Sequence, residues 1–244
     1  MNVIDKLNMN LDGLYANGPV NIVVFGDSVS HGAVNGYNDY ETVYWNLLKK
    51  KLNAYRDYVP VNMINASIGG STASKSLFRM QRDVFTHNPD LVIIAFGLND
   101  VNGELKDYLD ALRQMFQNCI DASCDAIFLT ANMLNTYVAE DTPTEYLQYA
   151  EKTAHMQNSG RMDMYVGAAV DLAKEMGITV CDCYGKWKAL SRTEDTTLLL
   201  ANRINHPVPK MHQLFADSLY ELIIGNGQKL NESDSTMYNE KDES

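Results

Sequence analysis

Basic residues are scarce in this 244-residue chain: 20 lysines and arginines stand against 31 aspartates and glutamates, for a formal net charge of −11. Without a basic stripe nothing neutralises a phosphate backbone or an anionic bilayer surface, so neither nucleic acid nor membrane is an expected partner. Long apolar runs are missing too. No stretch approaches the ~18 apolar residues of a membrane span, and the opening MNVIDKLNMNLDG has no basic segment leading into an apolar one. A soluble, cytoplasmic protein is the expectation. The four cysteines, Cys119, Cys124, Cys181 and Cys183, lack the paired C-x-x-C spacing of a zinc site, so reduced, buried thiols are expected and no metal. Neither G-x-x-x-x-G-K-[ST] nor G-x-G-x-x-G occurs, which leaves a nucleotide cofactor without support.

What is present is apolar content of 45%, enough for the core of one α/β domain. Five short apolar runs, 20–25, 59–65, 91–96, 126–130 and 178–183, read as buried parallel strands. Between them lie helical stripes. The clearest sets Leu105, Tyr108, Leu109, Leu112, Met115, Phe116, Cys119 and Ile120 on one face at spacings of three and four. Alternating strands and helices imply right-handed crossovers, and hence a three-layer α/β/α sandwich around a five-stranded parallel sheet in the flavodoxin-like order 2-1-3-4-5. The domain is expected over 1–227, followed by a polar, acidic tail over 228–244 too poor in apolar residues to order. Residues 131–160 are polar and tyrosine-rich, with a capping box and a helix-starting proline at Thr142-Pro143-Thr144-Glu145. This segment is either a cover over a site or an ordinary surface excursion.

Four short motifs fall where such a sheet holds its ligand, at the carboxyl ends of strands. Phe25-Gly26-Asp27-Ser28 closes the first strand and offers a serine at a sharp turn, where the next backbone N–H groups point at any anion formed there. Asn65-Ala-Ser-Ile-Gly-Gly-Ser-Thr72 follows the second and brings glycine N–H groups close. Gly97-Leu98-Asn99-Asp100 follows the third, with an amide suited to a developing oxyanion. His206-Pro207 precedes the last helix, a loop histidine on the same edge, and His31 lies three residues after Ser28, close enough to touch substrate. Taken singly, each is also what a turn or helix cap looks like.

In this order and spacing the four pieces resemble the SGNH, or GDSL-like, hydrolase family. The resemblance spans nearly the whole chain, and the G-x-S-x-G elbow of other serine hydrolases does not fit, since Gly26-Asp27-Ser28-Val29-Ser30 lacks the closing glycine. It implies Ser28 as nucleophile, Gly70 and Asn99 as oxyanion donors and His206 as base. Gly70 is preferred to Gly69 by the family's N-x-G-x-x-G block, in which Ser67 replaces the first glycine. It also implies a small-molecule ester substrate, best matched by an O-acetyl on a carbohydrate, cleaved through an acyl-Ser28 intermediate with no cofactor. Asp27, His31 and Arg203 are expected to contact that substrate. One departure stands out: the family's D-x-x-H is here Arg203-Ile204-Asn205-His206, so the acid of the triad is missing from its place. Asp195, Glu194 or a backbone carbonyl is left to orient His206. The rival expectation is a binding protein of the same fold that has lost turnover.

Overall fold

The computed structural model describes residues 3–238, those from 226 onward by their backbone alone. Five strands form one parallel sheet in the order β2-β1-β3-β4-β5: β1 is Val20–Gly26, β2 Val61–Asn65, β3 Leu91–Ala95, β4 Asp125–Leu129 and β5 Thr179–Cys181. The register pairs Val20 with Val61, Ile22 with Leu91, Leu91 with Asp125 and Ile127 with Thr179. The α-helices are α1 (Val3–Leu7), α2 (Leu11–Asn17), α3 (Ser28–His31), α4 (Tyr44–Tyr55), α5 (Ala73–Leu77), α6 (Met80–Asp83), α7 (Leu105–Asp121), α8 (Leu147–Asn158), α9 (Arg161–Glu175), α10 (Cys183–Leu190) and α11 (His212–Tyr238).

The sheet separates two apolar cores because successive strand side chains point to opposite faces. Val23, Phe25, Val92, Ile94 and Phe128 pack with Leu112, Phe116 and Ala169 of α7 and α9. Ile22, Val24, Ile93, Ile127 and Leu129 pack with Leu48 and Leu52 of α4 and Phe215 and Leu219 of α11. Since both faces are covered, the central strands carry apolar residues at nearly every position, and that is why they stand out as continuous runs in the sequence. Each fully buried side chain of this size contributes about 1.5–3 kcal/mol.

The strands are shorter than the apolar runs at 59–65 and 178–183, which extend beyond the ladders of β2 and β5. The capping box at Thr142 does not form. Pro143 has extended backbone, a 3₁₀ turn occupies Thr144–Tyr146, and the buried Thr142 hydroxyl has no partner among the described residues. Proline's missing N–H and fixed φ suit the position before a turn as well as the first turn of a helix. The polar tail begins inside α11, whose backbone helix continues to Tyr238, since extending a helix needs no new nucleus. Its last residues, 239–244, lie outside the described residues. Among the described residues, no helix is long and apolar enough to cross a membrane.

Candidate active site

Order 2-1-3-4-5 makes β1 and β3 neighbours whose crossovers leave to opposite faces, so a crevice opens beyond their carboxyl ends. β1 ends at Gly26, where a Cβ would meet the Ala95 carbonyl and the Ser30 hydroxyl at 2.6 Å each, so only glycine lets the strands run this close. The chain then turns sharply into α3. Asp27 caps that helix, its carboxylate accepting the Val29 N–H at 3.0 Å, and Ser28 follows as the first helical residue, with a backbone N–H that has no intrahelical acceptor.

His206 reaches Ser28 from the far side of the crevice. Its Nε2 lies 2.9 Å from Ser28 Oγ, and its Nδ1 lies 3.0 Å from the Val34 carbonyl oxygen. A carbonyl only accepts, so Nδ1 carries the proton and Nε2 is left with its lone pair toward the serine hydroxyl. Burial pushes the imidazole below its ordinary value of 6.5, and the Val34 hydrogen bond offsets this in part, so the ring is neutral at pH 7. The acceptor left open among Asp195, Glu194 and a backbone carbonyl is therefore the carbonyl. Asp195 is occupied elsewhere, accepting from the Tyr137 hydroxyl at 2.6 Å and the Thr197 N–H at 3.0 Å.

Two asparagines that the sequence motifs did not single out hold the His206 loop. Asn202 Oδ1 accepts the N–H groups of Ile204, Asn205 and His206 at 3.1, 3.0 and 2.9 Å. Asn132, fully buried after β4, donates to the Asn205 carbonyl at 2.9 Å. Their one sequence signal is asparagine in a loop, where its side chain habitually binds nearby backbone.

Gly70 and Asn99 line the same cavity as Ser28 and His206, a space of about 480 Å³. Gly70 has φ +73°, a left-handed conformation that glycine adopts without strain and that turns the loop after β2 toward the serine. One N–H of the Asn99 amide donates to the Ser71 carbonyl at 2.9 Å, and an amide has a second to give. Asp100 accepts the Ala73 N–H at 2.8 Å, tying the start of α5, and with it this loop, to the end of β3.

The residues expected to touch substrate are placed differently. Asp27 is buried beneath Ser28, its carboxyl pushed up to about 7 by burial and, less, by the nearby Asp100 charge. His31 lies beside the Gly69–Gly70 turn, its ring hydrogen-bonded to Gly69 and Tyr40. Arg203 turns away from His206. Its backbone is left-handed, φ +60°, and its guanidinium grips Asp141 with Nε at 2.9 and 3.0 Å and Nη2 at 2.8 Å. Its Nη1 also donates to the Leu198 and Leu200 carbonyls at 3.1 and 3.0 Å. Asp141 belongs to the 131–160 segment, and Pro143, Glu145, Tyr146 and Tyr149 of that segment line the cavity. The excursion is thus a wall of the site.

The fold is a parallel α/β/α sandwich with these residues gathered at the carboxyl edge of its sheet, and sequence comparison names its family. A profile of the GDSL-like lipase/acylhydrolase family matches residues 24–214, and the chain belongs to that family, whose chemistry is ester hydrolysis. Among curated proteins it is similar to the uncharacterized lipoprotein YqeF of Bacillus subtilis, 36% identical over 90 residues; the match covers 36% of this chain and 35% of that protein. The structure resembles the lipase/acylhydrolase of Enterococcus faecalis, with a TM-score of 0.67 and 23% identity over 85% of this chain and 96% of that one. It likewise resembles an acetylxylan esterase from Geobacillus stearothermophilus, TM-score 0.66 and 20% identity, over 84% of this chain and 94% of that one. An α/β hydrolase from the metagenome of Lake Arreo matches with TM-score 0.67 and 21% identity, over 84% of this chain and 95% of that one.

Proposed function

We propose that the chain is a serine esterase that removes a small acyl group, acetyl foremost, from a hydroxylated alcohol such as a carbohydrate. The observation that carries the reading is the hydrogen bond of Ser28 Oγ to an imidazole whose other nitrogen is fixed as a donor by the Val34 carbonyl. Ser28 Oγ attacks the ester carbonyl while its proton passes to His206 Nε2. The oxyanion is met by the Ser28 and Gly70 N–H groups and the second N–H of the Asn99 amide. On collapse the C–O bond to the alcohol breaks and His206 returns the proton to the leaving oxygen. Water, giving a proton to the same nitrogen, then attacks the acyl-serine carbonyl, the C–Oγ bond breaks, and His206 returns that proton to Ser28 Oγ as the acid leaves. Every proton and electron pair is accounted for by these groups, so the scheme requires no metal or cofactor.

The alcohol side of the cavity favours a hydroxylated partner. Asn35, Glu145, Tyr146 and Tyr149 line the cavity and supply polar atoms to a substrate rich in hydroxyls. The acetylxylan esterase of like fold acts on such a substrate, which is the weaker support, since one fold hosts many functions.

The rival reading, a binding protein without turnover, rested on the missing acid. Losing the acid in a trypsin-like triad costs about 10⁴ in kcat because the wrong tautomer results. A carbonyl at Nδ1 avoids that outcome and forgoes only the stabilisation that a full negative charge gives the imidazolium. A fluorophosphonate probe tests the proposal: the wild type should label and Ser28→Ala should not, with acetyl esters turned over faster than butyryl or long-chain ones. Labelling that persists in Ser28→Ala, or a folded wild type that neither labels nor hydrolyses any ester, overturns it.

A further inference from the structure

The geometry points to His31 as a positioning residue that holds the oxyanion turn against the nucleophile. Its Nδ1 accepts the Gly69 N–H at 3.2 Å, and its Nε2 lies 3.2 Å from the Tyr40 hydroxyl. A backbone N–H only donates, so Nδ1 is unprotonated and Nε2–H is the donor to Tyr40. The tautomer is thereby opposite to that of His206, whose Nδ1 bears the proton.

Both partners of His31 adjoin the machinery. Gly69 precedes Gly70 in the turn that presents an N–H to the oxyanion, and this turn lies against the serine: a Cβ on Gly69 would come within 3.8 Å of Ser28 Cβ and 3.6 Å of His31 Nδ1. Tyr40 ends the loop that carries Val34, whose carbonyl orients His206. That loop is closed by the Val34 N–H on the Tyr37 carbonyl at 2.9 Å and the Asp39 N–H on the Gly32 carbonyl at 2.7 Å. The half-buried imidazole thus spans from the oxyanion turn to the loop that fixes the base, and it issues from α3, the helix that Ser28 opens. Gly70 is left-handed, and a Cβ there would meet nothing within 4 Å among the described residues, so packing does little to hold it. The turn is held at its ends by the Ile68 N–H on the Gly26 carbonyl and by the Asn99 amide on the Ser71 carbonyl, and the anchor on Gly69 adds a restraint at its middle, next to Gly70. Donors aimed beforehand at the forming charge are what an oxyanion site consists of, and a displacement of about 1 Å is enough to forfeit much of their effect.

The test compares three substitutions on an acetyl ester. His31→Leu fills the space without an acceptor and should lower kcat about tenfold with KM within about twofold, as expected for a contact that matters only once the oxyanion forms. His31→Asn places Oδ1 where Nδ1 stood and should recover most of kcat. His31→Gln carries its acceptor one bond too far and should not. A trifluoromethyl ketone that adds to the serine as a tetrahedral oxyanion should lose affinity for His31→Leu by the same factor as kcat. A His31→Leu enzyme with wild-type kcat, a loss confined to KM, or equal impairment of the Leu and Asn variants overturns the proposal. It rests on Ser28 as nucleophile, yet the two fail separately: activity in Ser28→Ala defeats that reading, whereas an inactive Ser28→Ala beside a fully active His31→Leu defeats only this one.

Discussion

At His206 two duties of the usual triad acid come apart. One is to fix the tautomer, the other to stabilise the imidazolium with negative charge. The Val34 carbonyl performs the first and contributes only a dipole to the second, and burial leaves the ring below 6.5 with nothing but that dipole against it. Two outcomes follow from these bonds. kcat/KM should rise with pH along a limb whose apparent pKa lies below 6.5, because the base works only when unprotonated and desolvation depresses its proton affinity; a pH–rate profile with its midpoint above 6.5 contradicts this. Arg203→Asp should give no gain in esterase activity, although it restores the family's acid by name. Nδ1 already has its acceptor, the left-handed backbone at 203 aims the side chain outward, and the new carboxylate would sit beside Asp141. Asn99→Ala, by contrast, should lower kcat by about 10²–10³ with KM little changed, as the loss of one oxyanion donor does. Steady-state kinetics on an acetyl ester check both, and a mainly KM effect at Asn99 would assign it to substrate binding instead.

Among the elements, the 131–160 segment is tied down at several points, Asn132 and Asn135 to the Asn205 and Ile204 carbonyls, Thr136 to Thr197 and Tyr137 to Asp195, and Asp141 extends that fastening to the cavity wall. The Arg203 grip on Asp141 joins it to the loop that bears His206, so one arginine holds both the wall and its own loop through the Leu198 and Leu200 carbonyls. Side-chain exposure is 23% for Arg203 and 62% for Asp141, a setting in which ion pairs are worth about 0–1 kcal/mol to overall stability. Asp141→Ala and Arg203→Ala should therefore each raise KM several-fold while shifting the unfolding midpoint little. The double variant should be no worse than the more affected single one, since one interaction is lost only once. Additive losses would show that the two residues act independently. This pair also marks where reading the sequence stops. The five strands and α7 announce themselves because their burial is written in side-chain type and period, as in Ile22, Ile93 and Phe116. Ser28, Asn99 and His206 stand out as chemically distinctive residues at the end of a strand or before a helix, but their roles, and the choice of Gly70 over Gly69, come from the resemblance of the four motifs together to the family. The orienting group of His206 is not, because Val34 serves through its main chain and any residue there offers the same carbonyl. Nor is the turn of Arg203 toward Asp141, which follows from a left-handed backbone that its residue type does not suggest.

For the molecule as a whole, the site stands on two buried acids whose ionisation opposes folding. Asp27 and Asp100 lie under the crevice, and desolvation pushes their carboxyls from 3.8 up to about 7 and about 6. One oxygen of each accepts a backbone N–H, from Val29 and Ala73, which keeps Ser28 at its turn and the glycine loop in place; Asp100 Oδ2 is buried without a partner among the described residues. Architecture that positions the reaction is thus held by groups that are costly to charge. For Asp27 the direction of the shift sets the sign of the consequence. Its folded-state value lies above its unfolded one, so the folded protein binds the proton more tightly, and the stability this contributes is complete below pH 3.8 and lost as pH rises through about 7. An amide at this position does not titrate, and asparagine remains a good helix N-cap whose Oδ1 can still accept the Val29 N–H. Asp27→Asn should therefore gain stability relative to the wild type as pH rises from 5 to 8, by about 2–3 kcal/mol at most for a shift of this size. Urea unfolding at both pH values measures the difference directly. A gap between the two proteins that stays constant from pH 5 to 8 would mean that Asp27 is charged in the folded state throughout, and that its neighbours compensate the burial.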